Sequence, residues 1–448
     1  MEAQTQSKRI LFFPLPLQGH INPMLQLANI LHSRGFNVTI IHTTFNSPDP
    51  SHFPHFNFES ISDGLSAAEA STKDVIALLS LLNVKCAAPF QECLARLLSG
   101  EEPVACLISD AVLHFTSEVA RSFELPRLVL RTGGVSSFLA FAAFPVLQQK
   151  GYLLNQDLRL EELVPELPPL RVKDLPVIKT SNPQTLYQLV EGMVKETKAS
   201  SGLIWNSFEE LEKPALATLM QDFPIPIFPV GPFHKYFPAS SSSLIPHDQT
   251  CISWLDKQES NSVIYVSFGS IAAISDIEFL EIAWGLADSK HPFLWVIRPG
   301  LIRGSDWIES LPDGYLEMLD GRGHIVKWAP QQEVLAHPAV GAFWTHNGWN
   351  STLESICEGV PMICMPCFTD QMVNARYVTH VWKIGLQLEN GLERTRIKID
   401  IKRVMVEKEG KEMKERAEHL KEKVNKCLQQ GGSSNKSLES LVCYILSC

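Results

Sequence analysis

The apolar and polar positions of the chain fall into short apolar runs, each followed by a turn and then a stretch with helical spacing. Ile10 to Phe13 is the first such run. The loop Pro14 to Ile21 follows, and then a helix from Pro23 to about Arg34, with Asn22 as its cap and Gly35 as its stop. A capping side chain accepts an otherwise unpaired N–H, and proline at the first helical position has none to leave unpaired. Glycine ends a helix by turning left-handed without steric cost. Phe36 to His42 is the next strand, completing a strand–helix–strand unit of the doubly wound type. Val104 to Ser109, ending at Asp110, and Leu128 to Arg131, ending at Thr132, read as further strands. Unbroken apolar runs of this kind belong to parallel sheets covered on both faces.

The second half restarts the same plan. Ser262 to Ser267 reads as a strand, Phe268-Gly269-Ser270 as a turn and Asp276 to Ala287 as a helix. Phe293 to Ile297, His324 to Val326, Val340 to Trp344 and Pro361 to Met365 continue the strand series. Between the halves, Pro224 to Pro232, then Pro238 and Ser240 to Ser243, form a proline- and serine-rich linker, which sets a boundary at 240–250. The tail from Lys402 to Gln429 is charged, with Val404, Val406, Met413, Ala417, Leu420 and Val424 at helical spacing and its charges on a solvated helix face. Gly431-Gly432 breaks it, and a last helix runs from Ser437 to Leu446. A chain of 448 residues is too long for one core. The expected division is 1–240, 241–430 and a final helix within 431–448.

Composition narrows the function. At 45% hydrophobic residues and a formal charge of −10, the chain can fill large cores but lacks the basic face of a nucleic-acid binder. The same charge argues against anionic membrane surfaces as partners. Ten cysteines without a paired framework suit a reducing compartment. Cys364 and Cys367 form a lone C-x-x-C at the end of an apolar run, where a buried strand explains them better than zinc. His52 and His55 have metal-like spacing but sit between prolines in a loop without further ligands. The run after Lys8-Arg9 is broken by Pro14 and Pro16, unlike a signal peptide, and Phe138 to Leu147 is too short to span a bilayer. A cytoplasmic monomer with no membrane span is expected.

Two places carry candidate chemistry. A helix beginning near Asn350 or Ser351 aims its unpaired N–H groups and positive dipole end at the turn His346-Asn347-Gly348-Trp349. That is a diphosphate site made without metal or lysine. In the first half, His20 follows one strand and Asp110 ends another. If those strands are neighbours, Asp110 can hold one imidazole nitrogen and leave the other to take a proton. Leu17, Leu113, Phe138, Phe141, Phe144, Met193 and Leu203 offer apolar surface from the same half, suited to a flat or polycyclic hydrophobic molecule. For any one of them, core packing is the simpler account.

The 44-residue block Trp328 to Gln371, with its H-N-G-W-N-S-T turn, closely resembles the signature of plant family 1 glycosyltransferases. These are UDP-sugar-dependent enzymes that glycosylate small molecules. The resemblance extends through Phe13-Pro14, Gly19 to Pro23, Val266 to Ser270 and Gly431 to Ser434, and so covers essentially the whole chain. Its wording is most similar to the group containing the steviol-glycoside glucosyltransferases. The resemblance implies an α/β, GT-B architecture: two facing Rossmann-like domains, an interdomain cleft, and a last helix returning to the first domain. It implies an acceptor site in the first domain and UDP-sugar in the second. His20 would be the catalytic base and Asp110 its orienting acid, in an inverting displacement that leaves a β-glycoside. Trp328 would stack on uracil, with Ala329 bonding the base through its backbone. Gln331 and Glu354 would meet the ribose, and Ser270, His346, Asn350 and Ser351 the diphosphate. Trp349, Asp370 and Gln371 would grip the sugar, with Thr132 reaching it from the first domain.

Gln371 resembles the glucose-preferring pattern, where histidine is associated with galactose; Trp349 stands where some glucuronosyl-transferring members carry arginine. UDP-glucose is therefore the expected co-substrate, with no permanently bound cofactor. No D-x-D occurs, which fits metal-independent catalysis. The acceptor is expected to be a flavonoid, a terpenoid, another phenolic, or a sugar already on one. A Rossmann oxidoreductase would need G-x-G-x-x-G after its first strand, and neither Pro14 to Asn22 nor Phe268 to Ala273 supplies it. A non-catalytic UDP-sugar binder would have no use for His20 and Asp110.

Overall fold

The structure, a computed structural model, describes residues 8–153, 159–178, 180–237, 245–303, 307–389 and 391–448. The serine run of the expected linker and Pro238 lie outside the described residues. The first sheet comprises β1 (Arg9–Phe13), β2 (Asn37–Thr43), β3 (Asn57–Ile61), β4 (Val104–Asp110), β5 (Arg127–Arg131), β6 (Gly202–Trp205) and β7 (Ile227–Pro229), in the order β3-β2-β1-β4-β5-β6-β7. The second comprises β8 (Val263–Ser267), β9 (Phe293–Val296), β10 (Gly323–Val326), β11 (Val340–Thr345), β12 (Met362–Cys364) and β13 (Gly385–Gln387), in the order β10-β9-β8-β11-β12-β13. Neighbouring strands are parallel throughout, as in β1 against β4 and β8 against β11. In both sheets the order reverses between the first strand and the fourth. Loops at the carboxyl ends of those two strands splay apart there, and ligands of open α/β sheets bind in that gap.

The chain divides into two compact units. One gathers residues as far as Arg159, then Val177–Leu244 and Lys426–Cys448; the other gathers Leu160–Pro176 and Ile245–Asn425. The short insertion Leu160–Pro176 thus belongs with the second unit although the first unit surrounds it in sequence. Ion pairs of Arg376 with Asp174 (3.5 Å) and Lys173 with Glu389 (3.4 Å) tie it there, together with a hydrogen bond from Arg376 Nε to the Pro169 carbonyl (3.0 Å). The final helix, Ser433–Ser447, packs into the first unit's core through Leu438, Leu441 and Ile445. Its start is fixed by a hydrogen bond from Ser434 Oγ to the Gly231 carbonyl (2.6 Å).

Several helix limits differ from the sequence reading. The first helix is Gln18–His32, with Leu17 at its cap position, so Asn22 lies inside it and Pro23 interrupts its ladder. The His20 and Ile21 N–H groups both bond the Leu17 carbonyl (2.8 and 2.9 Å), which closes the first turn upstream of the proline. An internal proline costs about 3 kcal/mol or more. Burial of Ile21, Met24, Leu25, Leu27, Ile30 and Leu31 offsets that cost. The 138–147 run is two helices, Val135–Ala142 and Phe144–Gln149, because Pro145 cannot continue the ladder. The charged tail is likewise two helices, Arg394–Met405 and Lys408–Leu428, with Val406 51% exposed at the break. Gly410 makes the turn possible, since a Cβ there would meet the Val404 carbonyl at 2.0 Å. The last helix begins at Ser433, four residues before the expected Ser437.

Candidate active site

In the first unit, β1, β4 and β5 are consecutive neighbours, so the residues that follow them converge. His20 Nδ1 lies 2.7 Å from Asp110 Oδ2 and 3.0 Å from Thr132 Oγ1. The Asp110 side chain is 2% exposed, whereas that of His20 is 26% exposed. The other Asp110 oxygen accepts from the Val112 N–H (2.9 Å), so the carboxylate has no freedom to turn. A buried carboxylate on Nδ1 takes that N–H and leaves the Nε2 lone pair outward, which is the tautomer a general base requires. The helical first turn, not a loop, delivers His20 to this point.

The loop after Thr132 is clamped from elsewhere in the unit. Trp205 Nε1 donates to the Gly133 carbonyl (2.6 Å). The buried Glu212 carboxylate accepts from the Val135 and Ser136 N–H groups (3.0 Å each), Ser136 Oγ (3.0 Å) and Ser207 Oγ (2.7 Å). Glu212 therefore caps the Val135–Ala142 helix, whose own cap position is Gly134 and offers no side chain. Burial raises its carboxyl above the usual range, with these four donors acting against the shift. Sequence reasoning missed Glu212 because a cap supplied from another helix leaves no local signal.

The seven apolar candidates separate by depth. Phe138 and Leu203 are fully buried, Phe138 between the rings of Trp205 (5.4 Å) and Phe223 (5.3 Å) with the Arg131 guanidinium over its face. Leu113, Phe144 and Met193 are also buried, the Met193 sulfur 2.8 Å from Arg131 Nη1. Leu17 and Phe141 are half-buried and retain open surface. His52 and His55 have other partners: His55 bonds Asn29 Oδ1 (2.8 Å) and stacks on His32.

In the second unit, β8 and β11 flank the corresponding reversal. After β11 the chain turns at Asn347 (φ +60°) into the helix Trp349–Glu358, whose start at Gly348 carries no side-chain cap. Its first turn presents its N–H groups and the positive end of the helix dipole toward the loop after β11. His346 is wedged between glycines. A Cβ at Gly269 (φ +70°) or at Gly348 would fall 2.5 Å from its Nε2, so only glycine lets both backbones approach. Burial, reinforced by the charge of Arg298, pushes the His346 imidazole down to about 4. It is therefore neutral near pH 7 and offers a single N–H. Arg298, 7% exposed, holds the turn that carries Ser270. It donates from Nε to the Gly269 carbonyl (2.9 Å), from Nη1 to the Pro299 carbonyl (3.1 Å) and from Nη2 to the Ala272 carbonyl.

Three of the other predicted donor-site residues, Gln331, Ser351 and Glu354, come together at that helix. Gln331 Nε2 donates to Ser351 Oγ (2.9 Å) and Glu354 Oε2 (2.6 Å), while Tyr265 donates to Gln331 Oε1 (3.2 Å). Gln332 holds the second Glu354 oxygen (3.0 Å). Burial raises the Glu354 carboxyl, and the two glutamines oppose that shift. A ribose diol can exchange with these amides at the carboxylate. Trp328 is half-buried with its carbonyl bonded by the Asp248 N–H (2.9 Å), and Ala329 is buried beside it. Asp370 and Gln371 open the helix Asp370–Arg376. Gln371 Oε1 accepts from the Cys367 (2.9 Å) and Phe368 (3.2 Å) N–H groups, so the amide is oriented with its NH2 as the end left for a ligand. Trp349 is 4% exposed and backed by Trp382 (6.4 Å between centroids). Trp344 is plain core, and the Cys364 thiol is pushed up to about 12 by burial inside β12. Tyr265, Gln332 and Arg298 were not foreseen; they lie outside the signature or at positions where many residues would satisfy the pattern.

These two centres on paired parallel sheets define a sugar-nucleotide transferase of the GT-B fold class. Residues 215–422 match the family described as UDP-glucoronosyl and UDP-glucosyl transferase. The chain is 56% identical over 447 residues to UDP-glycosyltransferase 76B1 of Arabidopsis thaliana, and 49% identical over 462 to UDP-glycosyltransferase 76G1 of Stevia rebaudiana, with 100% of both chains covered in each case. It belongs to this family and is a UDP-sugar-dependent glycosyltransferase. Among solved structures, Phytolacca americana UGT2 complexed with UDP-2fluoro-glucose and pterostilbene is similar at a TM-score of 0.84 and 29% identity, covering 98% of this chain and 99% of that one. Among the described residues, no single helix is long and apolar enough to cross a membrane.

Proposed function

We propose that the chain transfers glucose from UDP-glucose to a hydroxyl of a small lipophilic plant metabolite, or to a sugar of its glycoside, with inversion to a β-glucoside. The observation that carries this reading is the 2.7 Å contact between His20 Nδ1 and buried Asp110. Nε2 takes the acceptor's hydroxyl proton as the oxygen forms its bond to the anomeric carbon. The bond from that carbon to the diphosphate oxygen breaks, and UDP leaves with the electron pair. Asp110 offsets the charge that appears on the imidazole. Thr132, within reach of His20, contributes at the same point. In the second unit, Ser270, His346, Asn350, Ser351 and the helix N–H groups take the diphosphate. Their N–H and hydroxyl donors support a transfer that needs no metal ion. Trp328, Ala329, Gln331 and Glu354 take the uridine; Trp349, Asp370 and Gln371 take the sugar. Leu17 and Phe141 are the apolar candidates with surface to give an acceptor. A structural relative solved with UDP-2fluoro-glucose and pterostilbene supports both glucose and an aromatic acceptor.

His20→Ala tests the base. Transfer should fall by roughly 10²–10⁴-fold, with UDP affinity unchanged by calorimetry; an unimpaired variant removes His20 from the chemistry. Competition between UDP-glucose and UDP-galactose tests the donor. Glucose should win by roughly tenfold or more, and a preference for galactose would refute the role given to Gln371.

A further inference from the structure

The resemblance to the family signature ends at Gln371, yet the donor site continues beyond it. Asn374, 2% exposed, donates from Nδ2 to the Asn347 backbone carbonyl (2.9 Å) and to Asp370 Oδ2 (3.2 Å). A carboxamide nitrogen has two N–H bonds, and here one serves the turn that opens the diphosphate helix while the other serves a carboxylate assigned to the sugar. Both ends of this bridge are constrained. Asn347 is fully buried in the left-handed region (φ +60°), with its N–H on Thr345 Oγ1 (3.1 Å) and its Nδ2 3.3 Å from Cys364 Sγ. Thr369, immediately before Asp370, has φ +52° and ψ −134°, a region that β-branched residues rarely enter. Strain of that kind persists only where the surroundings hold it, and it clusters at ligand clamps.

We propose that Asn374 is a positioning residue that uses the independently held Asn347 turn as a fixed anchor and sets Asp370 for the sugar hydroxyls, so that discrimination among donor sugars depends on it. The proposal rests on the reading of Asp370 as the sugar carboxylate. A carboxylate with one oxygen bonded by a rigid amide presents the other in one direction. Loss of that bond removes one of the constraints on the carboxylate, and small misplacements at a reacting centre are costly. Only a double donor fits the position. Asn374→Asp keeps the shape but sets acceptors against a carbonyl and a carboxylate.

The experiment measures kcat/KM with UDP-glucose and UDP-galactose, and UDP affinity by calorimetry, for the wild type, Asn374→Ala, Asn374→Asp, Asp370→Ala and the Asn374→Ala/Asp370→Ala double variant. Each Asn374 variant should lower kcat/KM with UDP-glucose by roughly ten- to a hundredfold and shrink the glucose-to-galactose ratio. UDP affinity should stay within about twofold, which also reports an intact fold. In the Asp370→Ala background, Asn374→Ala should add nothing, because the group it orients is gone. Full additivity of the two losses, or an Asn374 loss that tracks UDP affinity, overturns the proposal alone. An Asp370→Ala variant with unaltered transfer and discrimination overturns the reading of Asp370, and the proposal with it.

Discussion

The two histidines that follow the reversal points of the two sheets have opposite company. His20 stands 2.7 Å from a buried carboxylate and keeps about a quarter of its side chain open. His346 is wedged between two glycine backbones and feels the positive charge of Arg298. The fold offers the same kind of place twice, outside the carboxyl ends of a first and a fourth strand. An anion behind the ring fits the base role proposed for His20. Burial and a cation keep the other neutral, which fits the role proposed for it, an N–H donor to the diphosphate. Position in a doubly wound sheet therefore locates a site, and the charge placed behind it decides what the site does.

The most severe way to break this contrast is to remove the charge behind His20 alone. Asp110→Asn keeps the shape but can present its amide NH2 to Nδ1, which turns the imidazole lone pair inward. We expect transfer to fall by roughly 10²–10⁴-fold in steady-state assays with UDP-glucose, and UDP affinity to hold. A variant within a fewfold of the wild type would mean that Asp110 does not select the tautomer.

A smaller effect is expected from crowding His346. Gly269→Ala places a methyl group where the imidazole stands, at a residue with φ +70°. Either the ring or the turn must move, and the Arg298 bond to the Gly269 carbonyl goes with it. UDP affinity should drop by roughly thirtyfold, from about 1–2 kcal/mol of backbone strain plus displaced phosphate contacts, while uridine affinity changes little. Equal losses for UDP and uridine would show that the turn serves the nucleoside instead.

The contrast also explains what could be read from the chain without its structure. The strands that were read fell within one residue of their observed limits, because parallel strands are apolar throughout and end where the polarity changes; β11 is an example. β3, β6, β7 and β13 escaped, and β7 (Ile227–Pro229) lies inside the proline-rich stretch read as linker, its prolines tolerated because it is an edge strand of the first sheet. Most of the residues proposed for the donor were nameable because they lie in one contiguous block, Trp328 to Gln371. The junction of His20 with Asp110 was readable only on condition that β1 and β4 pair, and they do. The parts that escaped are those in which distant segments solve a local problem. Glu212 caps a helix that has no cap of its own. Arg298 holds a turn 29 residues upstream. Asn374 lies just past the signature, and its two partners are identified only by distance. Pro23 misled because local preference places proline at a helix start, whereas the helix begins at Gln18, its first turn closed onto the Leu17 carbonyl.

The mildest test sharpens the comparison rather than breaking it. With its imidazole held down at about 4 against an ordinary 6.5, His346 remains unprotonated in the folded protein while the unfolded chain takes up a proton below pH 6.5. The unfolded state then binds more protons, so stability rises with pH between about 4 and 6.5 and is lost on acidification through that window. By pH 5 the loss attributable to this residue is about 2 kcal/mol. The direct measurement is the His346 ring-proton resonance followed by NMR from pH 7.5 to 3.5, with a midpoint expected near 4. Arg298→Met should move that midpoint upward, since a positive neighbour is removed, but leave it well below 6.5 because burial is the larger cause. A midpoint unchanged by Arg298→Met would assign the whole shift to burial and remove the cation from the account. A wild-type midpoint near 6.5 would erase the difference between the two histidines on which the division of labour rests.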